Sequence, residues 1–237
     1  MNLEQKIGDN LLRIKEKILI FKNRTGINQP ITIVGVTKTH PPEIITAAVA
    51  AGLMNIGENR VLEAAKKFSA ISKTGNTVVK HMIGHLQSNK ANKAVEIFDR
   101  IDSVDSKKLA MKISKKAGEL NKTIPVLLEI NASREKQKHG FKINGVEEML
   151  SCFYLDNIEI EGLMTVGPQT KDEFKIREAF SSLRLLLDEI NRQLPKNRDK
   201  ITTLSMGMSG DYQIGVEEGS TMIRVGTAIF GKRKNIA

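Results

Sequence analysis

The chain has 237 residues, 40% of them hydrophobic, with 37 Lys+Arg against 27 Asp+Glu for a formal net charge of +10, and one cysteine. A hydrophobic fraction near the globular norm and a length sufficient for one large core exclude disordered, collagen-like and disulfide-scaffold classes. Cys152 has no intrachain partner for a bridge or a CxxC knuckle, so a reducing compartment is expected, and the cytoplasm is the default.

Leu3, Ile7, Leu11, Ile14, Ile18 and Phe21 recur at intervals of four and three with Glu4, Lys6, Asp9, Lys15 and Lys17 between them, which predicts an amphipathic surface helix rather than a signal sequence. No run reaches the roughly 18 apolar residues of a membrane span. Beyond this helix, short apolar or β-branched runs alternate with segments of helical period. The runs cover residues 31–37, 54–57, 81–84, 101–104, 124–130, 158–166, 201–207 and 222–226, which makes eight candidate strands. Among the helical segments, Pro41 and Pro42 mark a start where a missing N–H costs nothing, and Gly52 stops the set Ile44, Ile45, Ala48 and Val49. Phe180, Leu183, Leu187, Ile190 and Leu194 give 174–194 the clearest helical pattern.

Eight strand-helix alternations without a linker predict one α/β domain over residues 1–237, a closed (β/α)8 TIM barrel with an extra N-terminal helix. A doubly wound open sheet is the alternative. In both, ligands collect beyond the carboxyl ends of the strands. The residues standing there are Lys38, Glu58, Asn59, His85, Ser103, Asn131, Thr165, 205–209, Arg224, Gly226 and Thr227. The basic excess is spread as pairs such as Lys66 and Lys67, Lys107 and Lys108, and Lys115 and Lys116, and the chain has no Trp for base stacking. These pairs read as solvated helix faces, and no nucleic-acid partner is expected.

Three features carry chemistry. An apolar strand delivers Lys38 to the barrel mouth, where partial desolvation frees an amine to attack a carbonyl, opening Schiff-base chemistry; the bland reading is a rim lysine whose head reaches water. Ser205-Met206-Gly207-Met208-Ser209-Gly210 closes the seventh strand and Val225-Gly226-Thr227-Ala228 the eighth, a placement typical of barrel phosphate sites, although ordinary turn chemistry uses the same residues. Arg224 lies inside an apolar strand, so a buried acceptor is required: a carboxylate of the fold, a ligand ring nitrogen or an anion. His40, His81, His85 and His139 are scattered and form no zincin motif, so no metal is expected.

Val36-Thr37-Lys38-Thr39-His40-Pro41, Gly57-Glu58-Asn59, the run 81–90 from His81 to Lys90, Ser205-Met206-Gly207-Met208-Ser209 and the run 219–231 around Arg224 together resemble the YggS/PROSC family of pyridoxal 5′-phosphate (PLP) homeostasis proteins. The match runs from about residue 5 to the end. It implies a barrel like the alanine racemase N-terminal domain, with PLP as an internal aldimine on Lys38. By residue matching, Ser209, Gly226 and Thr227 hold the phosphate, Arg224 faces the pyridine nitrogen, and Asn59 and Met206 line the ring pocket. A guanidinium opposite that nitrogen keeps it unprotonated and weakens the cofactor as an electron sink.

The chain departs from the family pattern at Arg60, where Tyr is common, at Gly210, where Asp is frequent, and at Thr165-Val166-Gly167. The function implied is a PLP carrier with little or no catalysis and no catalytic residues, a monomer supplying PLP-dependent enzymes. The alternative is an amino-acid racemase. That reading is disfavoured because the second base of racemases comes from a C-terminal domain that is not expected after Ala237, and because Thr165 and Val166 stand where a ring-stacking His is expected.

Overall fold

The computed structural model describes residues 2–71, 78–135 and 137–231. The element order is α1 (Leu3–Thr25), β1 (Thr32–Val36), α2 (Pro42–Ala50), β2 (Asn55–Glu58), α3 (Val61–Ile71), β3 (Val79–Met82), a 3-10 turn (Ser88–Lys90), α4 (Ala91–Ile97), β4 (Arg100–Val104), α5 (Lys107–Glu119), β5 (Ile124–Asn131), β6 (Phe141–Lys142), α6 (Val146–Cys152), β7 (Ile158–Met164), α7 (Glu173–Gln193), β8 (Thr203–Met208), α8 (Tyr212–Glu217), β9 (Met222–Val225) and α9 (Thr227–Phe230). All strand pairs are parallel, and β1 pairs with both β2 and β9. The ring β1-β2-β3-β4-β5-β7-β8-β9 is thereby closed into an eight-stranded barrel, with β6 as a two-residue addition beside β5. The open-sheet alternative is excluded by the β1–β9 and β4–β5 pairings. Two residues carry no periodicity, which is why β6 has no sequence signal.

Helix α1 starts at Asn2, whose side chain accepts from Gln5 N–H, and ends at Gly26 in the left-handed region. Ile7, Leu11, Ile14 and Ile18 are its buried stripe, while Leu3 at the end of the expected pattern is exposed. This face packs on α2, α8 and α9, and Asn10 Nδ2 donates to Ile229 O at 2.8 Å. The extra helix therefore covers the seam where the first and last strands meet. Among the described residues, no helix is long and apolar enough to cross a membrane.

Alternation along the strands separates two cores. The larger lies between barrel and helices and includes Ile56, Met82, Ile101, Leu128, Leu204, Met206 and Ile223. Inside the barrel the apolar filling is small: Val34, Leu127, Met164 and Met222, with Val166 against them. Toward the amino ends of the strands a buried polar network completes the interior. His81 Nδ1 lies 2.7 Å from Asp102 Oδ2 and His81 Nε2 2.9 Å from Asn55 Oδ1, while Arg100 bonds Asp102 and Glu161 at 2.8 Å each. Burial alone raises the Asp102 carboxyl, but His81 and Arg100 hold it at about 2.

Candidate functional site at the barrel mouth

Lys38 follows β1 on the same alternation as Val34, whose side chain fills the barrel interior, and is half-buried. Its two neighbours are fixed on the opposite side. Thr37 is fully buried and its hydroxyl donates to Glu58 Oε1 at 2.6 Å; Thr39, at φ +63°, donates its N–H to Glu63 Oε1 at 2.6 Å. Lys67 of α3 joins all three elements, reaching Thr37 O at 2.8 Å, Glu58 Oε1 at 2.9 Å and Glu63 Oε1 at 2.5 Å. This corrects the reading of Lys66 and Lys67 as a solvated pair: Lys67 is 6% exposed. Desolvation raises the Glu58 carboxyl, opposed by the Thr37 and Lys67 hydrogen bonds. Burial also acts to raise Glu63, but there Lys67 and the Thr39 N–H win and its carboxyl is lowered.

Gly226 follows β9, next to β1 in the ring, and an added Cβ there would meet Val36 O at 3.2 Å. The N–H groups of Gly226 and Ala228 converge on one oxygen, Ser209 Oγ, at 3.1 and 3.2 Å. Ser209 is brought there by the turn after β8; near the end of that strand Gly207 has φ +100°, and a Cβ on it would lie 2.8 Å from Tyr212 Cα. Asp211 Oδ1 accepts from Met208 N–H and closes the same turn. Thr227, the first residue of α9, is exposed. The two glycine-bearing loops thus form one cradle beside the Lys38 loop.

Arg224 is 4% exposed inside the barrel. Its acceptors are neither a carboxylate nor, within the fold, an anion: Nη1 donates to Ser205 O at 2.8 Å and Ser205 Oγ at 2.6 Å, and Nη2 to Thr165 O at 2.7 Å. Thr165 is itself tied by its hydroxyl to Ile130 O at 2.8 Å. Burial lowers the guanidinium, offset by Asp102, Glu129 and Asp211. Asn59 is half-buried behind β2, packed so closely on Gly84 that a Cβ there would lie 2.6 Å from Asn59 O. Its Oδ1 is buried without a hydrogen-bond partner. Met206 is corrected: it shares a strand face with Leu204 in the outer core, so its side chain turns away from the mouth.

Sequence reasoning passed over Glu129. It stands on β5 two residues beyond the interior Leu127, opposite Met164 of β7, and its Oε2 is buried and unpaired. Desolvation, with Asp105 adding to it and Arg224 opposing, pushes the carboxyl up to about 7. The signal was present, since a charge inside Leu127-Leu128-Glu129-Ile130 is as costly as Arg224 in its own strand. Because the folded value lies above the unfolded one, the native state keeps a proton that the unfolded chain has released, and stability falls as pH rises from about 4.5 to about 7. Glu129→Gln is therefore expected to match the parent near pH 4.5 and to exceed it at pH 8 by up to about 3 kcal/mol in urea unfolding. A constant difference at all pH values would contradict this.

The histidines are also less scattered than their spacing suggests. His81 is buried in the interior network and His40 packs on the Phe230 ring at 5.4 Å, but His85 and His139 stack at 3.6 Å.

Comparison with known proteins agrees with this architecture. The family described as "Alanine racemase, N-terminal domain" matches residues 10–234. The pyridoxal phosphate homeostasis protein of Aquifex aeolicus is 36% identical over 228 residues, covering 95% of this chain and 98% of that one. The protein of the same name from Escherichia coli K12 is 32% identical over 230 residues, covering 96% and 97%. Among solved structures, PipY of Synechococcus elongatus with PLP bound superposes with a TM-score of 0.82 at 34% identity, covering 95% of this chain and 100% of that one. Alanine racemase of Clostridium difficile, at 19% identity and TM-score 0.72, shares the fold, and this chain spans 57% of its length. Closed barrel, mouth cradle and whole-length identity lead to one assignment: the chain belongs to the pyridoxal phosphate homeostasis protein family, built on the alanine racemase N-terminal fold.

Proposed function

We propose that this protein binds PLP at the carboxyl mouth of the barrel, holds it through Lys38 and carries it for PLP-dependent enzymes, with little or no catalysis of its own. The observation that carries the reading is the convergence of the Gly226 and Ala228 N–H groups on Ser209 Oγ, one strand away from the Lys38 loop. Donors that meet on a hydroxyl oxygen are equally suited to a phosphate oxygen. Bound PLP supplies an aldehyde that condenses reversibly with a primary amine, and Lys38 is the amine this mouth offers.

The remaining groups fit the same occupant. Asn59 Oδ1, buried and unpaired, is an acceptor for a ring substituent. Arg224, pinned by β8 and by Thr165 just after β7, is a fixed cation suited to a ring nitrogen without a proton. That pairing withholds the electron sink a racemase needs and favours storage over turnover. The exposed Thr227 hydroxyl is available at the edge of the cradle. In this reading residues 1–237 act as one domain, a cytoplasmic monomer whose ligand is PLP rather than a nucleic acid.

Ser209→Asp places a carboxylate where the phosphate oxygen belongs. PLP affinity by equilibrium dialysis is expected to fall at least about tenfold, equivalent to about 1.4 kcal/mol. Ser209→Ala, which leaves both N–H donors in place, is expected to lose less. An unchanged affinity in a folded Ser209→Asp variant would remove the cradle from the binding site.

A further inference from the structure

We propose that His85, Asp105 and His139 form a binding site for a divalent transition-metal ion of the Zn2+ type on the rim of the barrel. Each residue lies in the segment following a different strand, β3, β4 and β5, which are neighbours in the ring. The parallel pairing of these strands brings all three side chains to one point, although 53 residues of chain lie between His85 and His139. One donor atom from each lies within 4.8 Å of the others. His85 Nδ1 and Asp105 Oδ2 are 3.0 Å apart, already close to the spacing of two ligands on a tetrahedral ion with bonds of about 2.0 to 2.1 Å. The His85 and His139 rings are stacked at 3.6 Å with an interplanar angle of 10°. A shared ion lies near the plane of each ring, so one ring must rotate on binding, and both histidines are exposed enough to do so.

Two imidazoles and one carboxylate are a borderline donor set that selects Zn2+, Co2+ or Ni2+ over Ca2+ or Mg2+. With three protein ligands the fourth position stays open to water, which suits an exchangeable ion. Two further potential ligands, His81 and Cys152, are buried away from this point. His81 is buried between Asp102 and Asn55. Cys152 is buried, and desolvation pushes its thiol up to about 11. The proposal stands independently of PLP binding, since none of these three residues belongs to the Ser209, Gly226 and Lys38 set.

The test titrates untagged, PLP-free protein with Co2+, follows its visible absorption, and then displaces it with Zn2+. One equivalent is expected to bind, with at least tenfold weaker binding in His85→Ala and in His139→Ala and unchanged binding in His40→Ala. Asp105→Asn, which keeps the side-chain shape, is expected to weaken binding as well. Absence of saturable binding, or equal affinity in the parent and both rim histidine variants, would overturn the site. Far-UV circular dichroism of the variants separates loss of ligands from loss of fold.

Discussion

Lys38→Ala is expected to leave the barrel folded and to remove the covalent hold on PLP that we propose for this lysine. The reconstituted variant is expected to lack the visible band of a lysine adduct and to lose retention through gel filtration by well over tenfold, while the cradle at Ser209 keeps a weak, non-covalent affinity. The two effects are expected to separate because the proposed anchor and the proposed anion pocket lie on different loops. Lys38 follows β1, whereas the converging N–H groups follow β9 and their acceptor follows β8. A variant with the parent's visible spectrum would assign the anchor to another lysine, and one with no residual affinity would mean that the cradle contributes nothing without the amine.

The second large effect belongs to Lys67. Its ammonium closes a buried arrangement of Thr37 O, Glu58 Oε1 and Glu63 Oε1 around the base of the Lys38 loop. Lys67→Met leaves Glu58, 0% exposed, without a counter-charge, and breaking a buried pair from one side costs about 3–5 kcal/mol. For a chain of this size that lowers the thermal midpoint by roughly 10 °C. The matched variant Glu58→Gln with Lys67→Met removes both charges and is expected to recover more than half of the loss. Recovery of stability without recovery of PLP loading would show that the network also sets the position of Lys38. A Lys67→Met protein within about 1 kcal/mol of the parent would contradict the pairing.

What the sequence made legible was local. Eight apolar runs with intervening helical periods were enough for a barrel, because strand and helix periodicity are written in consecutive residues. Lys38, Ser209, Arg224 and Gly226 were legible because each breaks the expectation of its own segment: a charge ending or interrupting an apolar strand, or glycine and serine where a strand gives way to a loop. What stayed hidden were pairings between distant residues. Lys67 belongs to the surface pattern of α3, and only the approach of β2 and the Lys38 loop buries it. His85 and His139 meet because β4 alone separates their strands. Its place in an apolar strand tells that Arg224 needs an acceptor, but main-chain carbonyls carry no sequence signal, so Ser205 O and Thr165 O are not legible there. Motif matching lines the ring pocket with Met206, whereas strand alternation, applied from Leu204, turns its side chain outward.

On the proposed reading these residues serve as a tether and a cradle rather than as a catalytic pair. The only strongly raised carboxyl in the described mouth, Glu129, shares the interior with a cation that is already committed to three hydrogen bonds. The most direct measurement of the tether is borohydride reduction of the PLP-loaded parent protein followed by peptide mass mapping. A single reduced pyridoxyl-phosphate adduct on Lys38 is the predicted result. An adduct on a different lysine, or none on a protein that has taken up PLP, would contradict it.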